Sequence, residues 1–313
     1  MQKFRKILGV CCVIAAIALL AGAARMYWEY KSGEAVYDAL KTGFTKRPGD
    51  GDDNNERDDS ESSPDTPIIK EDAGTDDFVV DWESLLAQNK DVVGWIQTES
   101  GADYPILKGV DNAEYLYADI NHNYNINGSV FLCYLNSADW SDKNSIVYGH
   151  NMNSGAMFGG NKQYKDEDFA REHPYFYIYT PVGKYTYRIF GVVVTQDQSE
   201  CYNPSVKNDT EMAEYISVLK RNAMYWLADP QPADHVVTLS TCTGQAHGTT
   251  RLLIHGYMDS FTPIGGGKTV DRAELQRRIG AARQNTQSAS PSQPAQETAQ
   301  PDESYPVTHN IPD

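Results

Sequence analysis

The sequence predicts a mainly β domain, a barrel or sandwich of short strands, behind an N-terminal apolar segment. Between about Phe78 and Thr262 the chain forms repeated short runs rich in Val, Ile, Tyr and Thr, residue types that favour strands. Gly, Asn, Asp and Pro separate these runs, as is typical of turns. Several such strands in under 200 residues indicate a barrel or sandwich. The runs are GSVFLCYL, NSIVYGH, YFYIYT, KYTYRIFGVVVT, HVVTLSTC and RLLIHGYM.

The first element is the apolar stretch Ile7–Ala24, which carries no charge. As a helix it would be about 27 Å long, close to the thickness of a bilayer core. Lys3, Arg5 and Lys6 precede it, so the positive-inside rule predicts a cytoplasmic N-terminus and an external remainder. We therefore predict a cytoplasmic tip at 1–6 and a transmembrane signal-anchor at 7–24.

A cleaved signal peptide is the alternative for this segment, because Ala21-Gly22-Ala23 resembles a cleavage site. A retained anchor is favoured, since the apolar run exceeds the usual signal-peptide core of about 7–15 residues.

Residues 25–77 are predicted to form a stalk and an acidic disordered linker. Between Asp50 and Asp77 the chain has twelve acidic and two basic residues. Such a composition buries too little apolar surface to fold. The whole chain has a net charge of −16 and no basic patch, which argues against a nucleic-acid partner.

The folded domain is predicted at 78–264, and two helices accompany its strands. One begins at an Asp81 cap in DWESLLAQNK. The other covers Asp209–Asp229, with a cap at Asp209 or Thr210 and apolar residues at helical spacing, and it precedes HVVTLSTC. Residues 265–313 are rich in Gln, Ser and Pro and predict a polar, largely disordered tail.

Cys242 ends one strand-like run and Arg251 opens the next. If the two runs form an antiparallel hairpin, these positions stand opposite or diagonal, with Cβ atoms about 5–8 Å apart. A cation beside a thiol lowers its pKa, and a guanidinium can receive an oxyanion. The pattern therefore predicts a nucleophilic cysteine.

Acyl transfer to a thiol also needs an acid that protonates the leaving amine. His150 is the best candidate, because it ends NSIVYGH and opens the glycine-containing loop NMNSGAMFGG. His247 and His255 are weaker candidates. Of the other cysteines, Cys133 reads as a buried packing residue, and a disulfide with Cys201 is an alternative for both.

Three other functions are alternatives to an enzyme that transfers an acyl group through a nucleophilic cysteine. One is a different cysteine enzyme, such as a peptidoglycan hydrolase or an L,D-transpeptidase-like protein, and hydrolysis of wall peptides rather than transfer of a protein to an amine would distinguish it. A zinc site of Cys242, His247 and His255 would lack a standard spacing and a fourth ligand. A surface β-domain on a stalk would carry the thiol only incidentally.

TLSTC at Thr238–Cys242, followed by Arg251 and preceded by YGHNM around His150, resembles the sortases, cysteine transpeptidases of Gram-positive surfaces. The resemblance covers about Phe78 to Met258. The two helices and YGHNMNSGAMFG are similar to class B members. The resemblance implies a closed sortase-type β-barrel of about eight strands, with an N-terminal helix and a helix inserted before the cysteine strand.

The resemblance also implies roles: Cys242 as nucleophile, His150 as acid and base, and Arg251 as oxyanion and substrate-orienting residue. DNAEYL is similar to a class B segment that lines the substrate groove, which nominates Asn112 and Leu116 as substrate-binding residues. Ser240 is nominated as a third because it lies beside the nucleophile.

The implied reaction is extracellular and proceeds at the membrane. The thiolate attacks a carbonyl in a sorting motif of an exported protein, NPxTx-like for class B, and a thioester forms. An amine on a peptidoglycan precursor, or a pilin lysine in the alternative pilus-assembling reaction, resolves it. No metal or organic cofactor is expected.

Overall fold

The computed structural model describes residues 2–47, 78–242, 248–264, 268–275 and 277. The α-helices are α1 Gln2–Phe44, α2 Trp82–Gln88, α3 Glu167–Glu172 and α4 Asp209–Asn222, and a 3₁₀ helix covers Gly159–Lys165. The strands are β1 Thr45–Lys46, β2 Val79–Val80, β3 Val92–Thr98, β4 Asp103–Leu107, β5 Val130–Leu132, β6 Asn144–Tyr148, β7 Tyr175–Thr180, β8 Gly183–Gln196, β9 Ala223–Trp226, β10 Val236–Cys242, β11 Thr250–Pro263 and β12 Val270–Asp271.

Eight strands close into a barrel, which confirms the predicted fold class. The order around the barrel is β11-β10-β6-β5-β4-β3-β7-β8, and β8 pairs again with β11. Two contacts in this order are parallel, β4 with β5 and β6 with β10, and the others are antiparallel. Closure leaves these eight strands without a free edge between them.

The barrel interior is filled by apolar and aromatic side chains from the predicted strand runs. Trp95 of β3, Phe131 of β5, Phe176 of β7 and Phe190 of β8 are each at most 2% exposed. Such close packing is where most of the folding free energy arises, since burial of an apolar side chain contributes about 1.5–3 kcal/mol.

The helix α2 begins at its predicted cap, because the side chain of Asp81 accepts a hydrogen bond from Ser84 N at 3.1 Å. The helix α4 differs from the prediction at both ends. Asn208 is its N-cap, and it ends at Asn222 rather than near Asp229. Residues after Asn222 form β9, which pairs with β8 and places Trp226 against Phe190, with ring centroids 5.1 Å apart.

The helix α1 contains the predicted transmembrane segment and is long and apolar enough to cross a bilayer. Its apolar residues stand out from the protein: Val13, Ile14, Ile17, Leu19 and Leu20 are all more than half exposed. A lipid environment would cover these side chains, since water does not favour such an apolar surface.

The second half of α1 belongs to the folded domain. Tyr37 and Leu40 are 1% and 3% exposed and lie in the domain core. Immediately after α1, β1 pairs with β2 in register Thr45–Val80. The predicted acidic linker, residues 48–77 of which lie outside the described part, therefore starts and ends at neighbouring points of the domain. The stalk predicted from composition is, in its helical part, a component of the domain.

The domain also continues past the predicted boundary at residue 264. Strand β12 pairs with β11, and the Arg272 guanidinium forms an ion pair with Asp234, 2.5 Å apart, and lies over the Tyr257 ring. The rest of the predicted tail, from residue 278, lies outside the described residues.

The thiols of Cys133 and Cys201 are both free and fully buried. This confirms Cys133 as a packing residue and excludes the alternative disulfide. Burial raises the pKa of both thiols, so neither is suited to act as a nucleophile.

The strand pair β1–β2 predicts the effect of removing the acidic segment. Replacement of residues 48–77 by a four-residue turn should leave the fold intact and stabilise it by up to about 2 kcal/mol, because a shorter loop costs less closure entropy. Thermal unfolding of the full-length chain in detergent would measure this. A large fall in Tm would contradict the pairing.

Candidate active site

The three predicted catalytic residues lie at one end of the barrel, where β6, β10 and β11 run side by side. Cys242 is the last residue of β10 and is directly paired with Arg251 of β11. This confirms the predicted hairpin, in which Cys242 and Arg251 stand directly opposite each other and not diagonally. The side chain of Cys242 and residues 243–247, including His247, lie outside the described part of the structure.

His150 follows β6 by two residues, and the parallel ladder brings it level with Cys242. The last pair between the two strands is Ser240 with Tyr148, and Gly149 N continues the ladder by donating to Ser240 O at 3.2 Å. Extended by two residues, this register aligns position 242 with position 150. The two residues therefore lie near the same end of the β6–β10 pair.

The imidazole of His150 is held by one hydrogen bond and one ring contact. Its Nε2 lies 2.7 Å from Leu116 O, and its ring lies 5.2 Å from the ring of Tyr117 between centroids. A carbonyl oxygen only accepts, so Nε2 is the donor and carries the proton of the neutral ring. Nδ1 is then the basic nitrogen.

Burial lowers the pKa of His150, and the positive charge of Arg251 lowers it further, while the bond to Leu116 O raises it. The imidazole is therefore predominantly neutral at neutral pH.

Arg251 is 3% exposed, and its guanidinium is fixed by neighbouring groups. Nη1 donates to Gly248 O, and Nη2 lies 3.5 Å from a carboxylate oxygen of Asp197. Among the described residues Nε has no hydrogen-bond partner. A buried cation with an unused donor can stabilise negative charge that develops on a bound group.

The three residues predicted to bind substrate occupy different positions. Leu116 supplies the carbonyl that holds His150. Ser240 lies on β10, and its hydroxyl is 2.6 Å from the Tyr202 hydroxyl. Asn112 is 6% exposed and accepts from Tyr134 N at 3.1 Å. Within the described chain, no hydrogen bond joins Asn112 to the other predicted site residues.

Asp197 is a site residue that the sequence analysis missed. It follows β8, and its backbone N–H donates to Thr249 O at 2.8 Å. This bond holds its carboxylate beside Arg251. The β8–β11 register, in which Gln196 pairs with Thr250, brings the two charges together. No local sequence signal marks an acid that lies 54 residues before its partner.

The alternative zinc site is incompatible with the strand register. His255 pairs with Thr238, whereas Cys242 pairs with Arg251, four positions further along. That offset is about 13 Å along a strand, too far for one metal ion. His255 is fully buried, and its Nδ1 lies 2.9 Å from the Thr238 hydroxyl. It is a histidine of the core.

A different group of potential metal ligands occurs among the described residues: Asp91, Glu114 and His122. The Tyr115 hydroxyl lies 2.7 Å from Asp91 and 3.3 Å from His122, so a hydrogen-bond network accounts for part of this cluster. None of the predicted site residues belongs to it.

Several known proteins resemble this chain in sequence and in fold. A family model described as "Sortase domain" matches residues 98–259. The chain is 34% identical to sortase B of Listeria monocytogenes over 175 residues, which are 55% of this chain and 71% of that protein. The structure of Clostridium perfringens sortase B is 28% identical with a TM-score of 0.52, and the match covers 56% of this chain and 97% of that chain.

A further similar structure is that of a Staphylococcus aureus sortase B–substrate complex. It is 26% identical with a TM-score of 0.53, and the match covers 59% of this chain and 85% of that one.

The buried His255 predicts a pH dependence of stability. Burial lowers its pKa to about 3, against about 6.5 in an unfolded chain. As the pH falls below 6.5, His255 binds a proton in the unfolded state but stays neutral in the folded state. The free energy of unfolding should therefore fall by up to about 1.4 kcal/mol per pH unit down to about pH 3.

Urea unfolding between pH 4.5 and 7.5 would test this, with His255→Gln as the comparison. The variant should show a shallower pH dependence than the wild-type chain. Equal slopes would contradict the assignment of His255 as a buried neutral group.

Proposed function

Because this chain belongs to the sortase family of cysteine transpeptidases, we propose that it cleaves a C-terminal sorting motif of exported proteins and transfers the acyl group to a cell-wall amine. The observation that carries the proposal is the convergence of positions 242, 251 and 150 at one end of the barrel. For the substrate we propose an NPxTx-like motif, and for the product single proteins attached to the wall, as the resemblance of this sequence to class B members implies.

In the first step the thiolate of Cys242 attacks the carbonyl carbon of the scissile peptide bond. A tetrahedral intermediate forms, and its negative oxygen is stabilised by the buried guanidinium of Arg251. Asp197 holds that guanidinium in place. Protonated His150 then gives its proton to the leaving amine, the C–N bond breaks, and a thioester remains on Cys242.

In the second step an amine on a peptidoglycan precursor attacks the thioester. His150, now neutral, accepts the proton from the attacking nitrogen, and the thiolate leaves. The lowered pKa of His150 suits this base role. The acid role in the first step needs the imidazolium, so Cys242 and His150 both have to be in the correct protonation state.

The substrate would be bound along the groove next to His150 and Ser240, with Asn112 and Leu116 as further contacts. The substrate complex of the staphylococcal sortase B supports a substrate site in this type of barrel. In this chain Leu116 and Ser240 adjoin the site through their backbone carbonyls, which bond His150 and Gly149.

The protein is proposed to be anchored in the cell membrane, with the catalytic domain outside. The apolar part of α1 is long enough to span the bilayer, and Lys3, Arg5 and Lys6 precede it. These charges favour a cytoplasmic N-terminus. Because α1 runs unbroken into the domain, the anchor would carry the catalytic barrel directly.

Replacement of the predicted nucleophile tests the function. Cys242→Ala should abolish both cleavage and transfer, because no thioester can form. The assay is incubation of the full-length chain in detergent with NPxTx and LPxTG peptides and amine nucleophiles, read by mass spectrometry. Cys201→Ala, which removes a buried thiol elsewhere, is the matched control and should retain transfer. Cleavage by the Cys242→Ala protein would refute the proposal.

Replacement of the predicted oxyanion residue tests its chemistry. Arg251→Lys should lower kcat by about 100-fold or more, since a compact ammonium cannot reproduce the planar donor fork. The same assay measures it. Activity close to that of the wild-type enzyme would contradict the role.

Hydrolysis of wall peptides without transfer to an amine would indicate a cysteine hydrolase instead, and joining of pilin subunits would indicate the pilus-assembling reaction.

A further inference from the structure

The segment that holds His150 lies between the catalytic end of the barrel and α1. We call residues 112–129, which are the greater part of the connection between β4 and β5, the support loop. Leu116 in this loop accepts the hydrogen bond from His150 at 2.7 Å, and the neighbouring Tyr117 ring contacts the imidazole. The position of His150 therefore depends on the position of the support loop.

Gly128 is a second point at which the support loop lies against His150. A Cβ at this position would lie 2.1 Å from Leu116 O and 2.9 Å from His150 Cδ2. The residue also has φ +57°, in the left-handed region that favours glycine. The backbone at residue 128 therefore lies directly against the imidazole.

The other side of Gly128 is bonded to α1. The hydroxyl of Tyr37 donates to Gly128 O at 2.5 Å and lies 2.9 Å from the Ser129 hydroxyl. Ser129 in turn donates to Ala118 O at 2.6 Å, within the same loop. A single buried tyrosine of α1 thus contacts the backbone that packs on His150.

Two asparagines of the support loop bind the backbone of α1 one and two turns earlier. Asn125 donates to Gly33 O at 3.2 Å, and Asn127 donates to Tyr30 O at 3.1 Å. These carbonyls lie inside α1. Together with Tyr37 they join the loop to the helix over about two turns.

We infer that the second half of α1, which belongs to the folded domain, is a positioning element for His150. Tyr37 is the main positioning residue of this element. The inference rests on the proposed function, because it assigns α1 to the acid–base residue of that reaction. The helix that anchors the chain would thereby also set the orientation of the imidazole, through the support loop. A domain that lacks α1 would keep the barrel but hold His150 loosely.

Tyr37→Phe tests the inference, because it removes one hydroxyl and keeps the ring, which packs edge-on against Tyr104 at 5.5 Å. In the full-length chain it should lower kcat for transfer by about 5-fold, the effect expected from one buried hydrogen bond, with little change in KM. Tyr164→Phe is the matched control: that hydroxyl is also on a buried ring and donates to a backbone carbonyl, at His173. It should keep wild-type kcat.

A spectroscopic signature separates positioning from general destabilisation. In protein labelled with ¹⁵N-histidine, the Nε2–H of His150 should be visible and slow to exchange, because it donates to Leu116 O. Its resonance is assigned by its absence in His150→Gln. In Tyr37→Phe it should exchange faster with water, whereas Tyr164→Phe should leave it unchanged.

Gly33→Ala gives a second, independent perturbation in case Tyr37→Phe does not fold. Its Cβ would lie 2.2 Å from Asn125 Oδ1 and 2.6 Å from Asn127 Nδ2, so it should push the support loop away from α1. Alanine favours a helix more than glycine does, so a loss of kcat would not reflect a weaker helix. Gly43→Ala, where a Cβ meets nothing within 4 Å, is the matched control.

The outcomes distinguish the inference from the function on which it rests. If the wild-type chain transfers a sorting peptide, and Tyr37→Phe and Gly33→Ala match their controls in kcat and in the His150 resonance, the inference is wrong and the function stands. If the wild-type chain transfers nothing, the proposed function itself fails.

Discussion

The structure depends on the hydrogen-bonded ladder that holds β10 between β6 and β11. Its antiparallel side pairs Cys242 with Arg251, and its parallel side brings His150 level with the same end of β10. A shift of one residue in either pairing would turn every side chain of a strand to the other face. Closure of the barrel through β8 and β11 fixes this register, so the fold and the site are specified together.

The environment of the site favours the neutral form of His150, which is the form that accepts a proton in the second step. Burial and the charge of Arg251 lower the pKa of His150, while the bond to Leu116 O fixes the proton on Nε2. Arg251 is itself buried and paired with Asp197, so its charge is screened little by water. A preorganised cation beside a neutral imidazole can stabilise an oxyanion without first reorganising solvent.

The parts of this arrangement that were predictable from sequence are those encoded by local patterns. The hairpin pairing of Cys242 with Arg251 follows from two strand runs and a short connection, and the start of α2 follows from a capping aspartate. What could not be predicted depends on distant partners. Tyr37 bonds to Gly128, which is 91 residues away in sequence. Because the sequence shows no sign of this contact, the part of α1 after the membrane segment is predicted from sequence to be a stalk. The helix α4 ends earlier than predicted because the aromatic residues that follow it form β9 and pair with β8. This tertiary contact overrides the helical spacing of the sequence.

The most direct test is the structure of the chain carrying a sorting-peptide analogue with a thiol-reactive group at the scissile position. The account predicts a covalent bond to Cys242, with the oxygen that mimics the oxyanion at hydrogen-bond distance from the Arg251 guanidinium, about 3 Å, and the His150 imidazole within reach of the leaving-group position. Modification of another cysteine, or an adduct oxygen that points away from Arg251, would contradict the account.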